Sequence, residues 1–269
     1  MSNDSTKKMI LVAVGVCLVC SVFVSSAAVF LRPRQEQNKE LDKLKNILVA
    51  GDLTAEGEDI QKIFKENIET RLIDLASGQF VSEDQYTEKL NPGSFDIKSM
   101  ADDKDYGMTI PAEKDIAHIF RMPRYMPVYI IKSGETVEKY ILPFYGKGLW
   151  STMYGFIALG SDLQTIKGLT FYEHGETPGL GGEVDNPKWK AIWKGKKVFD
   201  ENGNVIITVI KGRVDPTNAN AEYSVDGLSG ATLTTRGLDA MVKFWLSENG
   251  YGPFIQQCKS QKEGINEQG

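Results

Sequence analysis

The chain has 269 residues, with 31 basic and 36 acidic residues, 41% hydrophobic residues and 25% charged residues. These proportions are close to globular averages and exclude a disordered, a collagen-like or a polytopic membrane chain. The net charge of −5 without a basic block argues against a nucleic-acid binder, three cysteines are too few for a disulfide scaffold, and two histidines without a Cys/His cluster argue against a metal site.

The first predicted element is an uncharged run of 23 residues, Met9 to Leu31. As a helix it would span ~35 Å, slightly more than the hydrocarbon core of a bilayer. A cleaved signal peptide is the alternative, because Ser25 to Ala28 offer small residues for cleavage, but its apolar region is usually only ~7–15 residues long. We therefore expect residues 9–31 to be an uncleaved transmembrane helix behind a short tail of residues 1–8.

A helical and irregular linking region is predicted for residues 32–125. Apolar residues recur near helical spacing before Gly51, at Leu41, Leu44, Ile47 and Leu48. Residues 58–75 predict a second helix, because Ile60, Ile63, Phe64, Ile68 and Leu72 fit one helical face. Residues 76–115 are rich in Asp, Lys, Gly and Ser and show little periodicity. We expect them to form either an irregular connection or a variable insertion, and to contain the domain boundary.

After residue 125 the chain predicts mainly strands. Two strands flank a hairpin signature at Ser133-Gly134-Glu135. The predicted strands are Val128–Ile131, Val137–Leu142, Phe156–Leu159, Thr165–Tyr172 and Val205–Ile210. A short helix is predicted from Pro187 to Trp193. The last predicted helix has Leu238, Met241, Val242 and Trp245 at helical spacing, and Gly250 is a good stop.

The predicted start of that last helix contains the motif Asp226-x-x-Ser229-Gly230-Ala231-Thr232. Short polar residues and glycines leave backbone N–H groups free there, and a helix N-terminus with free N–H groups attracts a phosphate. An ordinary turn with an N-cap is the alternative. Five specified positions match by chance in a chain of this length on the order of once in a thousand.

The motif resembles the flavinylation motif of the FMN-binding domain family, in which FMN is joined through its phosphate to the final threonine. The resemblance implies a phosphodiester to Thr232, with the cofactor also contacted by Ser229, Gly230, Ala231, Leu233 and Thr234. Thr234 is a second hydroxyl that we rank below Thr232 as the attachment point. The resemblance also suggests that Asp226 is recognised by the Mg²⁺-dependent flavin transferase that attaches FMN.

Two further segments match the same family. The loop Glu176-Thr177-Pro178-Gly179-Leu180-Gly181 lacks both the dinucleotide fingerprint and the P-loop lysine, and alone it predicts a tight surface loop. It resembles a family loop that lies against the isoalloxazine ring, which implies flavin contacts by Glu176, Thr177, Leu180 and Gly181. The segment Gly146–Gly155 similarly implies that Trp150, Ser151 and Thr152 border the flavin. Lys211 either stabilises a reduced, anionic flavin or is simply exposed.

The resemblance implies an α+β fold, in which a single N-terminal transmembrane helix precedes an FMN-binding domain with a mainly antiparallel sheet and flanking helices. The expected division is a tail at residues 1–8, the transmembrane helix at 9–31, the linking region at 32–125, the FMN-binding domain at 126–258 and a C-terminal tail at 259–269.

The family members that the chain resembles most belong to a complex of the bacterial inner membrane that passes electrons from NADH to quinone and exports Na⁺. The resemblance implies a covalent-FMN electron carrier whose N-terminus is cytoplasmic and whose domain lies outside the membrane. Other subunits would supply the NADH and quinone sites. Three alternatives stay open: the G subunit of the related Rnf electron-transport complex, a membrane-anchored binding or assembly module without a cofactor, and an enzyme that binds FMN reversibly and reduces its own substrate.

Overall fold

The computed structural model describes residues 6–53, 57 and 59–266, and it divides into two compact units, Met1–Lys43 and Leu44–Gly269. Residues 1–5 of the predicted tail lie outside the described residues. Helix α1 (Thr6–Ala50) is continuous through Pro33, so the predicted apolar helix begins three residues earlier than expected and does not end at Leu31. Among the described residues it is the one helix that is long and apolar enough to cross a membrane.

The last turn of α1 belongs to the second unit, where Ile47, Leu48 and Ala50 are buried. The helix ends before Gly51, as the sequence predicts. A Cβ at Gly51 would lie 2.5 Å from the Cδ1 of Ile131, so the backbone at Gly51 packs closely against this side chain of the sheet. This close approach seats the end of α1 against the sheet.

The segment after α1 corrects a prediction. Helix α2 (Ile60–Asn67) is capped by Asp59, whose carboxylate accepts the N–H of Gln61, and strand β1 (Ile68–Asp74) follows directly. The prediction of one helix through residue 75 is wrong because the four-residue spacing of Ile68 and Leu72 also fits the two-residue period of a strand. The strand that pairs with β1 lies more than fifty residues later in the chain, so the local spacing could not show that these residues form a strand.

The centre of the second unit is a five-stranded antiparallel sheet in the order β1-β4-β5-β6-β7. Its later strands are β4 (Tyr125–Ser133), β5 (Thr136–Lys147), β6 (Thr152–Gly160) and β7 (Ile166–Glu173). The predicted hairpin is confirmed, with Gly134 in the left-handed region at φ 60°. The predicted strand Val205–Ile210 keeps only β8 (Thr208–Val209), which pairs in parallel with β9 (Ser224–Val225).

Alternate residues of the sheet face two cores, as the pleat of a strand requires. On β4, Met126, Val128 and Ile130 belong to the larger core, whereas Tyr129 and Ile131 belong to a smaller one with the end of α1. The apolar residues of α2 pack against the smaller core. The sheet is therefore covered on both faces, which matches the consecutive buried residues in β4, in the second half of β5, and in β6 and β7.

Residues 76–115 consist mostly of turns and irregular segments, as expected, but they do not contain the domain boundary. They contain α3 (Ile97–Asp102) and β2 (Gly107–Thr109), and β2 pairs with β3 (Arg121–Pro123). Their apolar residues are buried in the larger core of the sheet: Val81, Leu90, Phe95, Ile97, Met100 and Ile110. The sparse apolar residues of this segment thus pack singly into the core and do not form a periodic element. The segment belongs to the second compact unit.

The C-terminal helices complete the larger core. Helix α4 (Pro187–Ala191) agrees with the prediction, and α5 (Thr232–Leu246) ends four residues before Gly250. Helix α6 (Gly252–Asn266) replaces most of the predicted tail at 259–269. The prediction failed because the buried apolar side chains of α6 among residues 252–262, where burial is described, lie in the first turns, at Phe254, Ile255 and Cys258. The indole N–H of Trp245 on α5 donates to the carbonyl of Tyr145 at 2.6 Å, which fixes α5 on β5.

Candidate functional site

Three predicted site segments meet at one end of the sheet. They are the loop between β5 and β6, the loop that follows β7, and the first turn of α5. Strands β6 and β7 pair with Tyr154 opposite Glu173, so the two loops leave the sheet side by side. A Cβ at Gly237 of α5 would lie 2.2 Å from the carbonyl oxygen of Lys147, so α5 packs closely against the first loop.

The first turn of α5 exposes one threonine of its polar run and buries the others. Thr232 is the first residue of the helix and is exposed, whereas Thr234 is only 1% exposed and Thr235 is buried as well. The hydroxyl of Thr235 accepts the N–H of Leu228 at 3.1 Å. Ala231 at the N-cap supplies no side-chain acceptor, and Gly230 before it has φ +72°. The turn therefore offers an outward hydroxyl beside uncapped backbone N–H groups.

Glu176 joins all three segments. Its side chain is 5% exposed, and its carboxylate accepts a hydrogen bond from the Thr234 hydroxyl at 2.6 Å. The same carboxylate accepts the backbone N–H groups of Leu149, Trp150 and Ser151 at 3.2, 2.9 and 3.2 Å. These contacts tie the β5–β6 loop and the start of α5 to the loop that follows β7.

The pKa of Glu176 is lowered from its ordinary value. Burial by itself raises the pKa of this carboxyl, but the hydrogen bonds from Thr234 and from the three N–H groups stabilise the charged form and prevail. Glu176 is consequently a carboxylate at neutral pH, although it is almost wholly buried.

Two glycines allow the loops to close around this carboxylate. A Cβ at Gly181 would lie 2.5 Å from the Thr234 Oγ1, and a Cβ at Gly148 would lie 2.5 Å from the Glu176 Oε1. Any larger residue would push the hydrogen-bonded groups apart. The requirement explains glycine at position 181 of the predicted flavin loop.

Each of the three site segments also exposes apolar side chains. Trp150 is 66% exposed and Leu180 is 44% exposed, and Leu149 and Leu233 are exposed too. A Cβ at Gly230 would lie 3.1 Å from the Leu180 Cδ2, which places Leu180 beside the turn that carries Thr232. Exposed apolar residues on well-anchored loops are typical of a ligand or partner site. They suit a flat aromatic ring, and the glycine-rich helix start suits a phosphate.

The other predicted residues lie close to these segments. The Ser151 hydroxyl accepts the N–H of Gly175 at 2.7 Å, and Thr152 is the first residue of β6. Thr177 is exposed, and its carbonyl accepts the N–H groups of Leu180 and Gly182. These contacts shape both loops from within.

Asp226 and Lys211 lie on the approach to α5. The Asp226 carboxylate accepts the N–H of Val214 at 2.8 Å, and its carbonyl accepts the indole N–H of Trp189 at 2.8 Å. Lys211 is exposed and precedes Gly212, whose carbonyl accepts the N–H of Gly227 at 2.9 Å. Asp226 therefore fixes the start of the motif through these two hydrogen bonds, independently of any recognition by the flavin transferase.

His174 opens the loop that follows β7. Its Nε2 lies 2.8 Å from the Asp185 Oδ2, and its Nδ1 accepts the N–H of Glu176 at 3.2 Å. The hydrogen bond to Asp185 raises the pKa of His174, burial opposes this, and the nearby Asp185 and Glu176 charges add to the increase. His174 thus braces the loop through both ring nitrogens.

Two exposed apolar residues beside the site had no predicted role. Ile116 and Phe120 are exposed, and Ala117 between them accepts the N–H of Lys147 at 2.9 Å through its carbonyl. Phe120 has φ 62°, and the buried Asp115 carboxylate accepts its N–H at 2.8 Å. Residues 111–120 carry no periodic pattern, so only the unusual backbone reveals this loop.

Comparisons with known proteins agree on one family. A family model described as an FMN-binding domain matches residues 148–247. The C subunit of the Pseudomonas aeruginosa Na⁺-translocating NADH-quinone reductase is 45% identical over 261 residues, covering 96% of this chain and 98% of the relative. Its Vibrio parahaemolyticus counterpart, of the same name, is 45% identical over 265 residues, covering 98% and 99%. The crystal structure of Shewanella oneidensis NqrC superposes with a TM-score of 0.74 at 35% identity, covering 83% of this chain and 99% of that chain.

Proposed function

The chain belongs to the family of Na⁺-translocating NADH-quinone reductase C subunits, and from this premise we propose that it carries one FMN joined covalently to Thr232. The matched FMN-binding domain contains all three site segments, from Gly148 to the end of α5. The family supports an FMN-carrying subunit of the reductase complex. The point of attachment and the covalent bond are our proposal.

The observation that carries the proposal is the contrast between Thr232 and Thr234. Both hydroxyls lie in the first turn of α5, but Thr234 is buried and donates its proton to Glu176 at 2.6 Å. Thr232 is exposed and precedes the uncapped N–H groups of the helix. A phosphodiester keeps one negative charge, which this helix end and the backbone at Gly230 stabilise.

The chain's own residues would hold FMN in two ways. The N–H groups of Ser229, Gly230, Thr232 and Leu233 would bind the phosphate, whereas that of Ala231 already donates to the Leu228 carbonyl. Trp150, Leu180 and the neighbouring leucines would cover the ring and exclude water from it. The bound FMN supplies the redox chemistry, accepting electrons from one partner and passing them to another. The protein holds the cofactor and sets the electrostatic environment in which it works.

We further propose that α1 anchors the chain in the bacterial inner membrane through residues 9–31. The helix has the length and composition for a single span, and the relatives are named as subunits of a reductase complex. On this proposal the N-terminus is cytoplasmic, the second unit is extracytoplasmic, and other subunits of the complex provide the NADH and quinone sites. A flavin transferase that uses Mg²⁺ would attach the FMN.

The Thr232→Ala substitution tests the attachment directly. The full chain would be produced with the flavin transferase and separated on a denaturing gel, where covalent flavin fluoresces. We expect the fluorescent band to disappear in Thr232→Ala and to persist in Thr136→Ala, a matched change at an exposed threonine of the hairpin. A fluorescent band in Thr232→Ala would refute attachment at this residue. A colourless wild-type chain would favour a module without a cofactor, and flavin released on denaturation would favour reversible binding.

A further inference from the structure

The carboxylate of Glu176 is held by four uncharged donors inside the site. One is the Thr234 hydroxyl and three are consecutive backbone N–H groups of the β5–β6 loop. A buried charge is costly unless every lone pair is satisfied, so each donor stabilises the arrangement of the others. The carboxylate therefore works as a common acceptor around which two separate segments are arranged.

Neither Glu176 nor Thr234 presents its side chain at the surface where Thr232 and Trp150 are exposed. Thr234 is nevertheless two residues from Thr232, and Trp150 donates its own N–H to Glu176. Any displacement of the Glu176 carboxylate would therefore move Thr232 and the exposed Trp150 together. Its effect on a ligand at the surface is therefore indirect.

We propose that Glu176 is the positioning residue of the flavin site, and that Thr234 serves as its hydrogen-bond donor rather than as a flavin contact or a second attachment point. The flavin readouts of this inference rest on the proposed attachment at Thr232. The clamp itself, defined as Glu176, Thr234 and the N–H groups of Leu149, Trp150 and Ser151, exists in the protein without FMN.

The clamp also places a fixed negative charge within the site. The charge is satisfied by hydrogen bonds from neutral groups, so no cation in the clamp cancels its field. Two titratable groups that follow β7 are linked to Glu176: His174 accepts the Glu176 N–H, and Asp185 pairs with His174. Because adding electrons to a flavin adds negative charge, the Glu176 carboxylate lowers the midpoint potential of a nearby flavin.

The first test uses the full chain without FMN, so it does not depend on the proposed function. Amide hydrogen exchange is measured at Leu149, Trp150 and Ser151 in wild type, Thr234→Val and Thr234→Ser. Thr234→Val removes the hydroxyl at nearly constant volume, and we expect exchange of these amides to become faster by about tenfold or more, as for the loss of a hydrogen bond to a charged group. Thr234→Ser restores the hydroxyl and should restore wild-type exchange.

Thr170→Val is the matched control. Thr170 is also fully buried, and its hydroxyl donates to the Asn46 Oδ1 at 2.6 Å in the smaller core. The Thr170→Val substitution removes a buried hydroxyl outside the site, as Thr234→Val does inside it. It should therefore lower the stability of the fold while leaving amide exchange at Trp150 unchanged. Equal exchange at Trp150 in Thr170→Val and Thr234→Val would overturn the proposal, because the effect would then be general loosening.

The second test measures the midpoint potential of the covalent FMN by spectroelectrochemical titration of the full chain. We expect a higher potential in Glu176→Gln, which removes the charge, and a smaller change in Thr234→Val, which keeps it. An unchanged potential in Glu176→Gln would overturn the electrostatic role. If Glu176→Gln does not fold, the exchange data for the Thr234→Val and Thr234→Ser pair still decide whether the clamp exists.

The two proposals fail in different ways. If the clamp proposal fails and the attachment proposal holds, FMN is covalently bound to Thr232 and Thr234→Val shows wild-type amide exchange. Failure of the attachment proposal would leave the chain without FMN on Thr232, while the exchange measurements on the same unflavinylated chain still show or refute the clamp.

Discussion

Two regions of this chain expose large apolar side chains, and they do so in different ways. In α1 the exposed residues from Met9 to Leu31 form an uncharged, mostly apolar segment that covers the helix on all sides. In the second unit the exposed large apolar residues that the structure describes are few and lie on loops or in the first turn of α5: Ile116, Phe120, Leu149, Trp150, Leu180 and Leu233. A uniform run suits lipid, whereas a few residues held on anchored loops suit a ligand or a partner.

The largest effect is expected from the removal of residues 1–31, and it concerns membrane association. The shortened chain should lose its membrane association completely, because the apolar run that suits a bilayer is gone. The second unit should stay folded, because its core lies within Leu44–Gly269. The measurement is sedimentation with membranes after an alkaline carbonate wash, with circular dichroism as the folding control. A shortened chain that still sediments would contradict a role of the run as the anchor.

The Glu176 carboxylate offers a smaller effect with a definite pH dependence. Its folded-state pKa lies below the ordinary value, so its contribution to stability is present above the unfolded-state pKa and is lost as the pH falls through the folded-state pKa. We expect Glu176→Gln to lower the free energy of unfolding by about 1–3 kcal/mol at pH 7, because the buried donors lose their charged acceptor.

The difference between wild type and Glu176→Gln should shrink below pH 4.5, the ordinary pKa of this group, as the wild-type carboxylate takes up its proton. Urea unfolding at a series of pH values measures it. Glu135→Gln, at the exposed hairpin turn, should change stability little at any of these pH values. A difference for Glu176→Gln that is constant from pH 7 to pH 3 would mean that the charged form is not what stabilises the site.

The smallest effect on stability is expected at the exposed apolar loops. Leu180→Ser should change the free energy of unfolding by no more than about 0.5 kcal/mol, because the side chain is already partly in water. It should still shift the visible absorption of the bound flavin, because the ring loses an apolar neighbour. Val29→Ser is the counterpart in α1, and it should alter neither membrane association nor the flavin spectrum. An unshifted spectrum in Leu180→Ser would separate this loop from the flavin.

Local patterns predicted much of the fold and its site segments. The hairpin at Gly134, the strands β4 to β7, and helices α4 and α5 follow from periodicity and turn residues over short windows. The second half of the predicted helix at 58–75 failed because a spacing of four residues suits a strand as well as a helix. Helix α6 was not predicted because its buried apolar residues, among those whose burial the structure describes, occupy its first turns.

The positions of the site residues needed long-range information. The sequence placed Thr232 and Thr234 side by side as two polar residues of one turn. Their opposite environments depend on Glu176, which lies 58 residues before Thr234 in the chain. No short pattern encodes that contact, although the glycine at position 181 is a trace of it, since only glycine leaves room for the Thr234 hydroxyl. The loop with Phe120 was missed for the same reason.

The most direct test of the account is the mass of the chain after maturation by the flavin transferase, measured intact and then by peptide mapping. Attachment at Thr232 predicts a mass higher by one FMN minus one water, with the added mass on the peptide that contains Thr232. A chain without added mass, or an adduct on a peptide that lacks Thr232, would contradict it.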